Sequence, residues 1–337
     1  MTTDRFNEVM DKFLVPISEF EGPVMDNTYF LRHDESFVFS EGYSHPTGGF
    51  YGMIIKYPLA DGHIDLYGRK YSWTHREYID GELRIIPDHR QLENQFRVAP
   101  ELSKSQGEKP IFARHLARFS LEDCRGCFDT VHAMRVLRKE YPWIDEAVKK
   151  TCRLLDWDPE RTGVTGSLSY GLVEDDIDMV FIGSLAENAA VAARIRAYLA
   201  ENRQARVMEL GKEWPIRFYY ADTMICPFFR YANREEIPLL DFQMSVVEEE
   251  VEMEGTVGDD RHNLYLPVLV RLTDIRRSDG KPEGDQELVV YHGALRGELW
   301  QGNRVRLTGT IVDLTTPGSA PRRAILVTEA SKVGLIG

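Results

Sequence analysis

Two aspartates one residue apart, Asp176 and Asp178, open the apolar run Met179-Val180-Phe181-Ile182. Side chains alternate along a strand, so both carboxylates face the same way, roughly 7 Å apart along it. Carboxylates so placed can share a pair of divalent cations, which stand about 3.5–4 Å apart in two-metal phosphoryl-transfer sites. A ligand set of oxygens, with neither His nor Cys, selects a hard cation such as Mg²⁺, with Mn²⁺ as the alternative. Upstream in the same stretch, 163–183, Gly166 and Ser167 sit in a glycine-bearing turn. Its backbone N–H groups and hydroxyl suit a phosphate. The plainer reading is a turn followed by a buried strand with acids at its mouth. That suffices for Gly-Ser alone. It fits the aspartates less well, because ionised groups starting an apolar strand need compensation for lost hydration. No Walker A pattern, GxSxG elbow or GxGxxG fingerprint competes.

Gly-Ser, a short spacer, then Asp-x-Asp on a strand resembles the signature of the nucleotidyltransferase superfamily that includes DNA polymerase β and the minimal nucleotidyltransferases. The wider order F-V-F-x-x-G-Y-x-H-P, K-Y-x-P, GVTGS and DIDMVFIG looks like a family of predicted nucleotidyltransferases best represented in archaea. There a small β-rich region precedes the Gly-Ser/Asp-x-Asp domain. The resemblance implies a polymerase-β-like α/β domain with a mixed sheet. It also implies an NTP whose triphosphate lies on Gly166 and Ser167, and two Mg²⁺ ions on Asp176 and Asp178. A third carboxylate on a later strand would complete the cage and act as base toward the acceptor. Asp222, in RFYYADTMICPFF, is the candidate by position, although Ala221 and Thr223 flank it where apolar residues are usual; Glu209 and Glu213 are its rivals. The acceptor, a small molecule, RNA or protein, is not identified.

The elements that must hold these groups read as α+β and multidomain. Residues 1–120 form a β-rich N-terminal domain: a short helix over 4–14, strands at 29–31, 37–39 and 50–57, and two or three antiparallel strands in all between 48 and 73. His45, Pro46 and Lys56 read either as a loop facing a substrate or as a turn and a solvated strand residue. Residues 87–110 read as a surface loop. Residues 121–242 hold a helical connector and the transferase domain. Ser120 is the candidate N-cap, with Cys124, Phe128, Val131, and Met134 or Leu137 at helical spacing, and a second helix carries Val148, Cys152 and Leu155. Cys124 and Cys127 form a C-x-x-C, but no second pair stands at zinc-site spacing, so they read as small apolar residues. Ser184 and Glu187 form a capping box for a helix burying Leu185, Ala189, Ala192, Ile195 and Leu199. Arg194, Arg196 and Arg203 read as solvated, with phosphate contact the alternative. Strands follow at 205–210 and 216–221.

Residues 243–337 form the third domain. The acidic strand 246–254 leads into strands at 263–275, 287–291, 304–313 and 323–328. Several strands with no long helix predict a small barrel, and LWQGNRVRLTGTIVDL looks like the middle of an OB-fold. Val305 and Leu307 point inward, Arg304 and Arg306 outward. With Arg322, Arg323, Tyr291 and Trp300 they would supply cations and stacking surfaces for single-stranded nucleic acid. A purely structural or dimerising barrel gives the same alternation. The alternative to an enzyme is therefore a non-catalytic protein that binds nucleotide or single strands.

The 337-residue chain carries a formal net charge of −13. That disfavours long polyanions as partners unless a basic patch is local. No apolar run reaches the ~20 residues of a membrane span, and the first residues do not read as a signal peptide. Four cysteines form no disulfide framework and suggest a reducing, cytoplasmic setting. The oligomeric state is left open, self-association included.

Overall fold

Runs of aromatic and β-branched residues between Gly, Pro and Asp turns make most of this chain sheet. The computed structural model describes residues 4–80, 82–86, 88–173, 176–209, 211–328 and 332–336. It is a mixed α+β structure. Among the described residues the α-helices are α1 (Arg5–Phe13), α2 (Asp88–Val98), α3 (Thr130–Glu140), α4 (Pro142–Leu155) and α5 (Leu185–Glu201). Residues 174 and 175, inside the Gly-Ser/Asp-x-Asp stretch, and 210, at the end of an expected strand, lie outside the described residues.

The strands in chain order begin with β1 (Val15–Pro16), β2 (Tyr29–Arg32), β3 (Phe37–Ser40), β4 (Gly49–Pro58), β5 (Ile64–Leu66) and β6 (Arg69–Trp73). A separate hairpin, β7 (Arg76–Ile79) and β8 (Glu82–Ile85), follows, then β9 (Ala117–Ser120) and β10 (Cys124–Phe128). The first sheet runs β1-β10-β2-β3-β4-β6-β5, with β9 joining β4. A second, five-stranded sheet is built from β11 (Thr162–Val164), β12 (Asp176–Gly183), β13 (Arg206–Glu209), β14 (Lys212–Tyr220) and β15 (Thr223–Tyr231). Its order is β11-β12-β15-β14-β13. Among the described residues, β12 and β15 pair in parallel and the other pairs are antiparallel, so the sheet is mixed.

The chain divides into two units, and the cuts differ from the expected 120/121 and 242/243 boundaries. One unit comprises residues 1–41, 47–86 and 119–236, the other 42–46, 87–118 and 237–337. The N-terminal sheet and the Asp-x-Asp sheet thus share one unit. A buried cation ties them together. Arg230 of β15, 6% exposed, donates through Nε (2.9 Å) and Nη2 (2.6 Å) to the Asp26 carbonyl. It also donates to the hydroxyls of Thr28 (2.9 Å) and Thr130 (3.0 Å).

Helix α5 begins at the expected capping box: Ser184 accepts from the Glu187 N–H, and Glu187 accepts from the Ser184 N–H. Its buried face is Asn188, Val191, Ala192, Ile195 and Leu199. Ala189, expected to be buried, is exposed, because Asn188 turns inward to donate to the carbonyls of Arg230 (2.9 Å) and Gly183 (3.3 Å). The Arg161 guanidinium first, then the Ser184 N–H and hydroxyl, hold the Glu187 carboxyl down at about 2. A lowered acid stabilises the fold above its unfolded value of ~4.3, and that contribution fades as pH falls from there. We therefore expect wild type to exceed Glu187→Gln by about 0.5–1 kcal/mol in urea at neutral pH. The gap should close as the solution is acidified through about 2; a gap that does not change with pH would contradict the assignment.

Two expectations for the connecting segments are corrected. Cys124 and Cys127 lie on strand β10, not on a helix. A bulge between Cys124 and Gly126 in the pairing with β2 gives the strand a spacing of three that imitates a helical stripe. Ser120 caps only the one-turn Leu121–Asp123 segment; Asp129 caps α3, accepting from His132 N–H at 2.7 Å. Burial pushes both thiols up to about 12. The segment 87–110, expected as loop, contains α2. Its buried positions include Gln91 and Gln95, a four-residue repeat of polar residues that hydropathy cannot display.

In the second unit the strands are β16 (Gln243–His262), β17 (Val268–Arg277), β18 (Gln286–Tyr291), β19 (Arg304–Thr315), β20 (Arg322–Thr328) and β21 (Val333–Ile336). The pairings run β16-β17-β18-β20-β19 and return from β19 to β16; β21 adds to β19. Among the described residues of this unit, β18 and β20 form the parallel pair. Val305 and Leu307 enter the shared core with Val257, Val270, Leu288 and Ile325, as their alternation predicts.

Candidate functional site

Strand β11 delivers the glycine turn to the aspartates. It pairs antiparallel with β12, Val164 opposite Met179, and the Thr165 N–H donates to the Asp178 carbonyl at 2.9 Å. The chain then enters a one-turn 3-10 segment, Gly166–Tyr170. Gly166 has φ +66°, and a Cβ there would collide with the Asp178 carboxylate. Only glycine combines that backbone with so close an approach. The Ser169 hydroxyl donates to the Gly166 carbonyl at 2.7 Å. Ser167 is half-buried within the same turn.

The turn is anchored from the N-terminal sheet. Tyr170 is 1% exposed, and its ring packs 4.7 Å from Phe37 and 5.8 Å from both Tyr29 and Phe128. Lys56 donates to the Tyr170 hydroxyl and lies over its ring. At 8% exposed, Lys56 is not a solvated strand residue; it braces the turn. The Thr165 hydroxyl donates to the Asn27 carbonyl at 2.8 Å. His45 lies in the other unit, where its Nε2–H donates to the Gly42 carbonyl and burial holds the ring down at about 4.

Asp176 and Asp178 are both half-buried on β12, one residue apart as expected. The parallel register sets Met224 beside Asp176 and Cys226 beside Asp178. One ligand atom from each of Asp176, Asp178 and Cys226 falls within 4.8 Å of the others. Cys226 is 1% exposed, and its thiol points to Asp176 Oδ2 at 3.7 Å. Burial first, then the Asp178 charge, raises this thiol above the ordinary range, and Arg217 opposes them. Arg217 sits on β14, stacked 3.9 Å from the Trp214 ring and bonded to Glu209 at 2.5 Å. Two carboxylates and a thiol this close together could hold a divalent cation, with sulfur where a third oxygen was expected.

Asp222 is not part of this group. Ala221 and Asp222, φ +49° and +63°, form the two-residue turn between β14 and β15, closed by the Tyr220–Thr223 pair. That is the hairpin geometry in which Asp tolerates a left-handed backbone. Asp222 is exposed there. Of its rivals, Glu209 pairs with Arg217, and Glu213 with Arg206 at 2.6 Å. Sequence reasoning missed Cys226 and Arg217. Pro227 disguised the strand that carries Cys226, since proline cannot donate within a sheet. Here the pairing of β15 with β14 runs only from Thr223 to Ile225, which leaves Pro227 room on that side. Arg194, a candidate phosphate contact, instead closes the end of α4 through the Leu155 carbonyl and Asp156.

The stacking groups expected on the second unit are altered as well. Tyr291 is 1% exposed, stacked on Phe112 at 4.9 Å; Trp300 is half-buried. Arg304 and Arg306 both pair with Glu254, Arg322 with Glu287, and Arg323 with Asp313.

No family model and no curated protein matches the chain. Among solved structures, that of the tetrameric p202 HIN2 is similar over 37% of this chain, with 12% identity and a TM-score of 0.16. The match covers 64% of the p202 HIN2 chain. At that score the likeness defines neither a fold nor a partner. No helix among the described residues is long and apolar enough to cross a membrane.

Proposed function

We propose that the unit bearing Asp176 and Asp178 is a metal-dependent nucleotidyltransferase of the polymerase-β type, transferring a nucleotidyl group from an NTP to a hydroxyl or phosphate acceptor. The observation that carries this reading is the contact of the Gly166 turn with the Asp178 carboxylate, on a strand face shared with Asp176. An anion-binding turn pressed against a cation-binding pair is what a triphosphate–metal complex requires. Gly166 and Ser167 would take the terminal phosphates, with Asp176 and Asp178 holding a divalent cation. The bound cation supplies charge neutralisation on the phosphate oxygens. The acceptor oxygen attacks the α-phosphorus in line, a hydroxyl acceptor losing its proton to solvent, and the bond to the β-phosphate breaks, releasing pyrophosphate. Tyr170, held by Lys56, fixes the turn.

In the second unit, the ring β16-β17-β18-β20-β19 with a parallel β18–β20 pair supports an OB-like barrel. The burial of Tyr291 and the carboxylate partner of each named arginine weaken the alternative of a non-catalytic single-strand binder. The test is incubation with each α-labelled NTP and Mg²⁺, Mn²⁺, Zn²⁺ or Co²⁺, against a panel of metabolites and RNAs. Labelled product with stoichiometric pyrophosphate is expected. No transfer with any combination would leave only the binding reading.

A further inference from the structure

The register that brings β15 alongside β12 sets sulfur, not oxygen, beside the aspartates. Cys226 lies opposite Asp178, its thiol 3.7 Å from Asp176 Oδ2, with all three ligand atoms within 4.8 Å of one another. Among the described residues, the carboxylates considered for the third place lie elsewhere: Glu209 pairs with Arg217, Glu213 with Arg206, and Asp222 is exposed in the hairpin turn. A buried cysteine is often a small apolar filler, and Cys124, Cys127 and Cys152 are also buried. Among the described residues, Cys226 is the cysteine whose sulfur joins two carboxylates in a group of metal-ligand size.

We infer that Cys226 is a metal ligand, and that the Asp176–Asp178 pair, completed by its sulfur, takes a thiophilic divalent cation of the Zn²⁺ or Co²⁺ kind in preference to Mg²⁺. Thiolate ligands favour Zn²⁺ and Co²⁺, while all-oxygen sets favour Mg²⁺. Three protein ligands leave a position for water or a phosphate oxygen, as in catalytic rather than structural zinc sites. On binding, the sulfur gives an electron pair to the cation and the thiol proton leaves to solvent, so one proton is released per cation from this residue. The inference rests on the reading that the two aspartates hold a cation. It does not require nucleotidyl transfer.

The experiment is titration of metal-free, reduced protein with Co²⁺ under anaerobic conditions, followed by near-ultraviolet absorption and calorimetry. A sulfur-to-cobalt charge-transfer band is expected, abolished by added Zn²⁺. Cys226→Ser should lose the band and weaken Zn²⁺ by more than the roughly 10–100-fold that loss of an outer-shell partner costs. Cys226→Asp should lose the band and bind Mg²⁺ at least about tenfold more tightly, a gain of ~1.4 kcal/mol. Circular dichroism checks that each variant folds, and Cys226→Ala replaces the serine variant if it does not. Co²⁺ bound without the band, or a band that persists without Cys226, overturns the inference and leaves the aspartate pair standing. Unchanged Mg²⁺ affinity in Cys226→Asp overturns the selectivity. No cation bound by any variant removes both readings.

Discussion

If the proposed transfer activity holds, Asp178→Asn leaves a folded protein unable to transfer nucleotides. The change removes one negative charge at nearly constant volume. Neither the Thr165 N–H bond to the residue 178 carbonyl nor the β11–β12 pairing depends on that charge. Charge stabilisation by a bound metal is worth several kcal/mol, and each ~1.36 kcal/mol is tenfold in rate. We therefore expect turnover to fall at least about a thousandfold, with the unfolding midpoint within about 1.5 kcal/mol of wild type. Single-turnover assays with labelled NTP, beside urea unfolding of the same preparation, read both quantities. Near-normal turnover in the asparagine variant would end the assignment of this carboxylate to catalysis.

The largest expected loss of stability is at Arg230. Its guanidinium makes four hydrogen bonds to the Asp26 carbonyl and the Thr28 and Thr130 hydroxyls, at 6% exposure. Arg230→Met keeps the apolar stem and deletes every donor. The stranded acceptors each cost about 1–3 kcal/mol when buried without a partner, and partial relaxation brings the expected total to about 3–5 kcal/mol. Because the contacts bridge the N-terminal sheet and β15, the variant should also loosen amide protection around Asp26–Thr28 before global unfolding. A midpoint shift worth less than about 1 kcal/mol would show the network to be dispensable.

The parts of this fold that could be read directly are those fixed by short-range rules. Asp176–Gly183 is a strand because apolar residues follow the acids. Ser184 and Glu187 cap α5 because their spacing meets the first turn. Val305 and Leu307 are inward because alternation is local. What escaped depends on distant partners. The bulge in β10 is imposed by β2, and it turned Cys124 and Cys127 into an apparent helical repeat. Helix α2 buries glutamines, a choice that only its surroundings explain. At the site, Gly166, Asp176 and Asp178 were legible because all three lie in one stretch. The third group was not, since adjacency across a parallel pair is invisible along the chain. Asp222 stood near enough in sequence to suggest a ligand, but it lies exposed in the β14–β15 turn. Among the contacts that join the N-terminal and Asp-x-Asp sheets, Arg230 reaches back some two hundred positions to Asp26.

The bare Cα of Gly166 against the Asp178 carboxylate has a thermodynamic corollary. Loop and carboxylate cannot shift independently. On the proposed reading, an anion on the loop alters the affinity of a cation on the aspartates, and by reciprocity the cation alters the anion's affinity by the same factor. Loading of the two would then be a single linked equilibrium.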